Sequence, residues 1–346
     1  MYEEFYGLKA KPFRLLPDSA FLFLTRQHAQ AMGSLEYAVS NDAALSLMTG
    51  DIGAGKTTLI RHLLNQLDKT VTVGLISNTH REFGNLMQAV ALAFGVHYKG
   101  KDKVELYQDF TDFLLREYAA GRRTLLIVDE AQNLDAETLE EVRLLTNINA
   151  DDHTLLQLLL VGQPELRHML ERHELRQFAQ RINVTMSLGP LSETETTSYI
   201  RHRLNLAGGD PNLFQKNAIR LIFWNSRGIP RVINSLCEMA LVRGFQTGKL
   251  KIQPRLIADI VHERAADSVY GKIVYDLETL QATNKANALE AAARKKQKAR
   301  SSAKKSALVA RDFRPEIRQV GNPTVEAPAD NSSVTEIPVR KLSPGG

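Results

Sequence analysis

The sequence almost lacks cysteine, the residue that builds disulfide frameworks and structural zinc sites. It contains a single cysteine, Cys237, in 346 residues, which excludes an intramolecular disulfide and a cysteine-based zinc site. Its nine histidines show no metal-binding spacing such as H-E-x-x-H. A reducing compartment is therefore the expected environment.

Long hydrophobic runs are also missing. No apolar stretch approaches the roughly 20 residues that span a bilayer, and the acidic start, Met1 to Phe5, lacks the pattern of a secretory signal peptide. Hydrophobic residues make up 43% and charged residues 24% of the chain, which excludes a collagen, a coiled-coil rod or a fully disordered protein. We therefore expect a cytoplasmic protein with roughly two or three domains.

The positive charge of the chain is concentrated in one segment. The formal net charge is +5, yet the segment Lys285–Lys305 holds eight basic residues and one acidic residue. The rest of the chain carries 36 basic and 38 acidic residues, so a general affinity of the folded body for nucleic acid is not indicated. The basic segment is compatible with a solvated linker, with duplex-DNA binding or with docking to anionic lipid.

Apolar runs alternate with helical patterns over the first half of the chain. The predicted strands are Ala43–Thr49, Val71–Ser77, Thr124–Val128, Leu156–Val161 and Val184–Leu188. The predicted helices are 57–67, 83–94, 104–120, 136–145 and 165–173. This alternation predicts a mostly parallel sheet covered by helices on both faces, and the pattern becomes all-helical over 192–264.

A glycine-rich motif joins the first predicted strand to the next helix. Residues 50–57 match G-x-x-x-x-G-K-[ST], a loop whose backbone N–H groups and following helix N-terminus bind phosphate. Lys56 is expected to reach the β- and γ-phosphates, and Thr57 to bind Mg²⁺. The predicted nucleotide-binding residues of the loop are Gly50, Asp51, Ile52, Gly53, Ala54, Gly55, Lys56, Thr57 and Thr58.

Polar residues follow two of the other predicted strands. Asp129 and Glu130 end an apolar strand, at the edge where open α/β sheets bind ligands. Asp129 is suited to hold Mg²⁺, and Glu130 to orient or deprotonate the attacking water. Gln163 follows the strand at 156–161 and would lie beside Glu130 if the two strands are neighbours, where it could contact the γ-phosphate or the water.

Three arginines are candidates for stabilising charge on the nucleotide. Arg176 and Arg181 precede the fifth strand, and either could be donated to the nucleotide of a neighbouring subunit. Arg231 follows Pro230 at a predicted helix start, where a fixed backbone would aim its guanidinium. We expect Arg231 to sense nucleotide from the helical region.

These motifs together resemble the ExeA-type (general secretion pathway protein A) AAA+ ATPases. The resemblance covers roughly residues 1–265 and includes several separate motifs in the family's order. The matching segments are Phe5–Leu8, Lys11–Phe13, Pro17–Asp18, Gly50–Thr58, Leu126–Leu134, Val161–Leu166, Gln180–Ile182 and Gly228–Asn234.

The resemblance implies a particular architecture and set of roles. It implies a five-stranded αβα nucleotide domain, a helical lid, and ATP with Mg²⁺ bound between subunits of a homo-oligomeric ring or filament with about six or more subunits per turn. By the same resemblance Gln163 occupies the sensor-1 position, Arg181 is the better finger candidate and Arg231 is sensor 2. The segment Phe5–Phe13 would help to enclose the adenine base.

The sequence patterns and the resemblance together predict four segments. An N-terminal segment that packs on the nucleotide site occupies 1–40. The nucleotide-binding domain occupies 41–190, the helical lid 191–267, and a basic, then disordered tail 268–346.

Two functions remain open at this point. The first is an ATPase that drives assembly of a secretion or cell-envelope export system, located in the cytoplasm at the periphery of the inner membrane, with inner-membrane or envelope-assembly proteins as partners. The second is an ATP-dependent regulator similar to the TnsC, TniB and MuB-like proteins, which bind duplex DNA and recruit a transposase. Secretion members of the family usually continue into a membrane-spanning segment and a periplasmic domain, for which this sequence shows no pattern.

Overall fold

The computed structural model describes residues 1–16, 18–77, 86–150, 153–266, 278–287, 289–290 and 294. Residues Met1–Asn284 form one compact unit, and Lys285–Gly346 form a second. Most of the predicted basic segment and all of the predicted disordered tail beyond it lie outside the described residues. In the part of the chain that the structure describes, no helix is long and apolar enough to cross a membrane.

A five-stranded parallel sheet forms the centre of the nucleotide-binding region. Its strands are β1 (Leu45–Gly50), β2 (Val71–Ile76), β3 (Arg123–Val128), β4 (Gln157–Gly162) and β5 (Val184–Leu188). They lie in the order β2–β3–β4–β1–β5, and every neighbouring pair is parallel. The predicted fold class and all five strands are confirmed, with ends that differ from the predicted ones by at most two residues.

Alternating side chains of the sheet enter two separate hydrophobic cores. In β3, Leu126 and Val128 pack into one core, whereas Leu125 and Ile127 pack into the other. All four are almost completely buried, as expected for a parallel strand covered on both faces. The two cores place a helical layer on each side of the sheet.

Within the described residues, eight α-helices precede β5. They are α1 (Tyr2–Phe5), α2 (Arg26–Ser40), α3 (Lys56–Gln66), α4 (Leu86–Ala93), α5 (Lys103–Ala119), α6 (Ala136–Leu145), α7 (Pro164–Leu170) and α8 (Arg176–Ala179). Helices α2 and α3 supply side chains to the core on one face, and α4 to α8 supply the other. The first residues of the predicted helix 83–94 lie outside the described residues, and α7 ends at Leu170 rather than at the predicted 173.

Four further helices form a compact helical region. They are α9 (Glu193–Leu206), α10 (Lys216–Ser226), α11 (Pro230–Gln246) and α12 (Pro254–Ala266). Helix α9 begins with a capping box, in which Ser192 and Glu195 satisfy each other's backbone N–H groups. The core of this region also takes in Leu8 and Phe13 from the N-terminus, and Cys237 is fully buried within it. The predicted all-helical character of this part of the chain is confirmed.

Candidate functional site

The phosphate-binding loop joins β1 to α3 in the predicted strand–loop–helix arrangement. Gly53 and Gly55 have φ angles of +81° and +104°, a region that only glycine occupies without strain. Lys56 is buried, and its Nζ donates hydrogen bonds to the carbonyl oxygens of Gly50 (2.6 Å) and Asp51 (3.2 Å). Burial lowers the pKa of Lys56, and the nearby carboxylates of Glu130 and Asp129 oppose that shift.

Thr57 and Asp129 meet although 72 positions separate them in sequence. The Thr57 hydroxyl donates to Oδ2 of Asp129 at 3.2 Å, and the backbone N–H of Glu130 donates to Oδ1 at 3.0 Å. Burial is the main reason that the pKa of Asp129 is raised. A hydroxyl and a carboxylate beside a phosphate-binding loop are hard oxygen donors of the kind that Mg²⁺ takes, so the two residues fit the predicted metal site.

Two amide side chains hold the carboxylate of Glu130. Its Oε2 accepts hydrogen bonds from Nε2 of Gln132 (2.6 Å) and from Nε2 of Gln163 (3.3 Å). Oε1 of Gln132 in turn accepts the backbone N–H of Gln163 at 3.0 Å. The strands β3 and β4 are neighbours, so the predicted proximity of Gln163 and Glu130 is present in the structure.

The backbone of Glu130 is itself unusual. Its φ is +56°, and a non-glycine residue in this left-handed region carries about 1–2 kcal/mol of conformational cost. Such strain concentrates at functional sites, where the surrounding structure fixes a side chain in one direction. Gln132, which links Glu130 to Gln163, was not among the predicted site residues. Its position could have revealed it, because Gln132 carries an amide group two residues after Glu130, the carboxylate that follows β3.

The helical region touches the phosphate-binding loop directly. The backbone N–H of Arg231, in the first turn of α11, donates to the carbonyl oxygen of Gly53 at 3.3 Å. A Cβ atom added to Gly53 would lie only 2.5 Å from Cβ of Arg231. The side chain of Arg231 is exposed and lines the cavity above the loop, which is where sequence analysis places the residue.

The two candidate finger arginines lie elsewhere in this chain. Arg176 and Arg181 are exposed, and neither lines the cavity. Nη1 of Arg181 donates to Oγ1 of Thr146 at 3.3 Å and to Oδ1 of Asn147, just past the end of α6. Their predicted action on a neighbouring subunit stays a prediction.

His28, which is not among the predicted site residues, also contacts the loop. Nε2 of His28 lies 3.2 Å from the carbonyl oxygen of Ala54, and Nδ1 lies 2.7 Å from Oγ1 of Thr25. Because a carbonyl only accepts, Nε2 carries the hydrogen and the Thr25 hydroxyl donates to Nδ1. This assignment leaves Oγ1 free to accept the backbone N–H of His28 at 3.3 Å. Burial lowers the pKa of His28, which favours this neutral form.

A single cavity connects these groups. It is lined by loop residues 52–58, Glu130 and Arg231. Its other walls come from the N-terminal segment, α2, the turn before α9, α9 and α11. Those residues are Arg14, Leu15, Leu16, Asp18, Phe21, Leu22, Phe23, His28, Leu191, Tyr199, Arg203, Pro230 and Asn234.

The N-terminal segment lines this cavity from Arg14 onward, and the predicted enclosure of the adenine base by Phe5–Phe13 stays a prediction. Phe5 packs against Tyr6 and Phe245, and Phe13 packs against Phe214. The segment Phe5–Phe13 therefore contacts the helical region, and the lining of the cavity begins at Arg14. Leu8 and Phe13 are buried in the core of that region, and the burial of their apolar surface favours this contact.

Comparisons with known proteins agree with the geometry. Residues 40–170 match the family model described as an AAA domain. General secretion pathway protein A of Aeromonas hydrophila is 39% identical over 253 residues, which cover 73% of this chain and 46% of that protein. The chain thus spans about half the length of this curated relative.

Solved structures show the same fold at low sequence identity. The ORC1 protein of Aeropyrum pernix in complex with DNA has a TM-score of 0.54 at 19% identity, covering 74% of this chain and 71% of that one. The ORC2 protein of the same organism has a TM-score of 0.52 at 18% identity, covering 71% and 72%. We conclude that residues 40–170 form an AAA domain, and that the chain has the fold of an AAA+ P-loop ATPase related to general secretion pathway protein A.

Proposed function

We propose that this protein binds ATP with Mg²⁺ in the cavity and hydrolyses it. The observation that carries the proposal is the meeting of the Thr57 hydroxyl and the Asp129 carboxylate, 3.2 Å apart, beside the buried amine of Lys56. The two motifs are distant in sequence, and a structural role alone does not require a hydroxyl, a carboxylate and an amine at the same edge of a sheet. Ligands of open α/β sheets bind at this edge.

Each residue has a defined part in the proposed reaction. The backbone N–H groups of loop residues 50–58 and the amine of Lys56 bind the phosphates. Thr57 and Asp129 hold Mg²⁺, which supplies charge neutralisation for the phosphates when bound. Glu130, fixed by the amide groups of Gln132 and Gln163, orients the attacking water and accepts its proton.

The helical region and a second subunit complete the proposed site. Arg231 reports the state of the nucleotide to α11, because its backbone is already bonded to Gly53. Arg181 is the proposed finger that stabilises transition-state charge on a neighbouring subunit's nucleotide. The proposed assembly is a homo-oligomeric ring or filament. The division into an N-terminal segment (1–40), nucleotide domain (41–190), lid (191–267) and tail (268–346) belongs to the same proposal.

The proposed cellular role is assembly of a secretion or envelope-export system at the cytoplasmic face of the inner membrane. It is supported by the 39% identity to general secretion pathway protein A. ATP-dependent association with inner-membrane or envelope-assembly proteins would then be the output of the ATPase.

The test begins with ATP affinity and turnover. Lys56→Ala should abolish ATP binding, because the phosphates lose their buried cation, whereas Lys69→Ala, at an exposed position outside the cavity, should leave it unchanged. Glu130→Gln should bind ATP, lose turnover by about two orders of magnitude or more, and accumulate as an oligomer in size-exclusion chromatography. Unchanged ATP affinity of Lys56→Ala would refute the phosphate-loop assignment.

The cellular role needs its own measurement. Membrane fractions should retain Glu130→Gln with ATP and release it with ADP. Fluorescence anisotropy of duplex DNA, measured over a salt series, distinguishes the secretion role from the alternative role as a transposition regulator. Binding that requires ATP and weakens steeply with salt would favour that alternative and count against the secretion role.

A further inference from the structure

A buried cation on α9 lines the same cavity as the phosphate-binding loop. Arg203, on α9, is only 5% exposed, and its Nε has no hydrogen-bond partner among the described residues. Its Nη1 donates to the hydroxyl of Tyr199 at 2.7 Å, and its Cζ lies 5.1 Å from the centroid of the Phe21 ring. In the described part of the chain no carboxylate lies within ion-pair distance of Arg203.

This arrangement leaves the guanidinium without a counter-ion, and only the Tyr199 hydroxyl and the rings of Phe21 and Tyr199 offset its burial. An arginine stays protonated in proteins, so it cannot reduce the cost of burial by becoming neutral. The hydroxyl of Tyr199 is shared, because it donates to Oδ1 of Asn234 at 2.8 Å. Burial raises the pKa of Tyr199, so this residue supplies no negative charge. Buried polar groups in native proteins are almost always bonded, and an unbonded donor on a cavity wall is available to a bound molecule.

The surroundings of Arg203 indicate which part of a nucleotide it meets. The phosphates belong at the loop, where Lys56 and the N-terminus of α3 lie. Around Arg203 the wall is mostly apolar and aromatic, and includes Phe21, Leu22 and Phe23. The base is the flat, apolar portion of a nucleotide, and its ring nitrogens are acceptors that match a donor-only side chain.

We propose that Arg203 donates a hydrogen bond to a ring nitrogen of the adenine base of bound ATP. This inference rests on the proposed function, because it deepens the description of the same cavity. Arg203 would then be a base-binding residue supplied by the helical region. Its hydrogen bond would link the position of α9 to nucleotide binding.

The test compares two arginines that differ in their partners. Arg203→Met removes a buried charge that has no counter-ion and keeps an apolar side chain against the rings of Phe21 and Tyr199, so the melting temperature of the nucleotide-free protein should be unchanged or higher. ATP should bind roughly 10- to 100-fold more weakly, the range expected for a lost hydrogen bond to a charged donor. The increase in melting temperature on adding ATP should shrink accordingly.

The matched control is Arg220→Met. Arg220 also lies over an aromatic ring, that of Trp224, and its Nε likewise makes no hydrogen bond, but it forms an ion pair with Glu193 (Nε to Oε1 3.3 Å) and does not line the cavity. Its loss should lower the melting temperature of the nucleotide-free protein and leave ATP affinity within about twofold.

Inorganic tripolyphosphate with Mg²⁺ separates base binding from phosphate binding. Arg203→Met should bind tripolyphosphate as the wild type does, whereas Lys56→Ala should lose tripolyphosphate and ATP together. Equal losses of tripolyphosphate and ATP in Arg203→Met would overturn the assignment to the base. A destabilised Arg203→Met protein with wild-type ATP affinity would show that the role of Arg203 is structural. If the wild type binds no nucleotide, the proposed function fails and this inference fails with it.

Discussion

A methyl group at Gly53 should disconnect the helical region from the phosphate-binding loop. The φ angle of Gly53 is +81°, and a Cβ atom there would lie 2.5 Å from Cβ of Arg231. Ordinary contact between carbon atoms begins at about 3.5 Å, so α11 or the loop must move by roughly 1 Å. The hydrogen bond from the Arg231 N–H to the Gly53 carbonyl oxygen, now 3.3 Å, would not survive that movement.

Two contributions set the expected loss in the free energy of unfolding of Gly53→Ala. A left-handed alanine costs about 1–2 kcal/mol in any protein, and the lost hydrogen bond adds about 0.5–1.5 kcal/mol. Gly95→Ala is the matched control, because Gly95 has a φ of +70° and nothing within 4 Å of its added Cβ. It should therefore show the backbone cost alone.

Urea unfolding and ATP titration measure the two consequences. Gly53→Ala should lower the free energy of unfolding by about 1.5–3.5 kcal/mol, and Gly95→Ala by about 1–2 kcal/mol. ATP affinity should fall by about tenfold or more in Gly53→Ala, because the loop can no longer hold its phosphate-binding shape against α11, and stay unchanged in Gly95→Ala. Equal ATP affinities in the two variants would refute the idea that contact with α11 shapes the loop.

Two further predictions concern side chains around the nucleotide. His28→Gln places an amide donor where Nε2 lies and should keep ATP affinity, whereas His28→Leu should lose it. Burial lowers the folded-state pKa of His28. The wild-type free energy of unfolding should therefore decline further than that of His28→Gln as pH falls below about 6.5. If the two proteins show the same decline in urea unfolding at each pH, this prediction is contradicted. Arg181→Ala should retain ATP binding but lose oligomer-dependent turnover in a steady-state ATPase assay, while Arg176→Ala serves as the control, and equal turnover of the two variants would remove Arg181 from the finger role.

The sheet and its ligand-binding edge could be predicted because they depend on local patterns. Continuous apolar runs such as Leu125–Val128 are typical of parallel strands buried on both faces. The glycine-rich loop at 50–57 needs backbone conformations that are encoded at single positions, such as Gly53 and Gly55. These features require no knowledge of which distant segments pack together.

The N-terminal helix α2 and its histidine were harder to find. The buried face of α2 is formed partly by Ala31, Met32 and Leu35, a short stripe that does not stand out from the surrounding polar residues. His28 resembles any other helix-start histidine in sequence. Its role follows only from the packing of α2 beside the loop, which brings its ring to the carbonyl oxygen of Ala54.

The sequence by itself determined the parallel α/β fold, the phosphate-binding loop and the carboxylate pair at the end of β3, because each is encoded by residues adjacent along the chain. Tertiary structure decided the rest of the cavity: the amide bridge through Gln132, the contact of Arg231 with Gly53, and the burial of Arg203 without a counter-ion. These depend on distances between segments that are far apart in sequence. Whether a buried polar group has a partner is a property of the packed molecule, and no local pattern reports it.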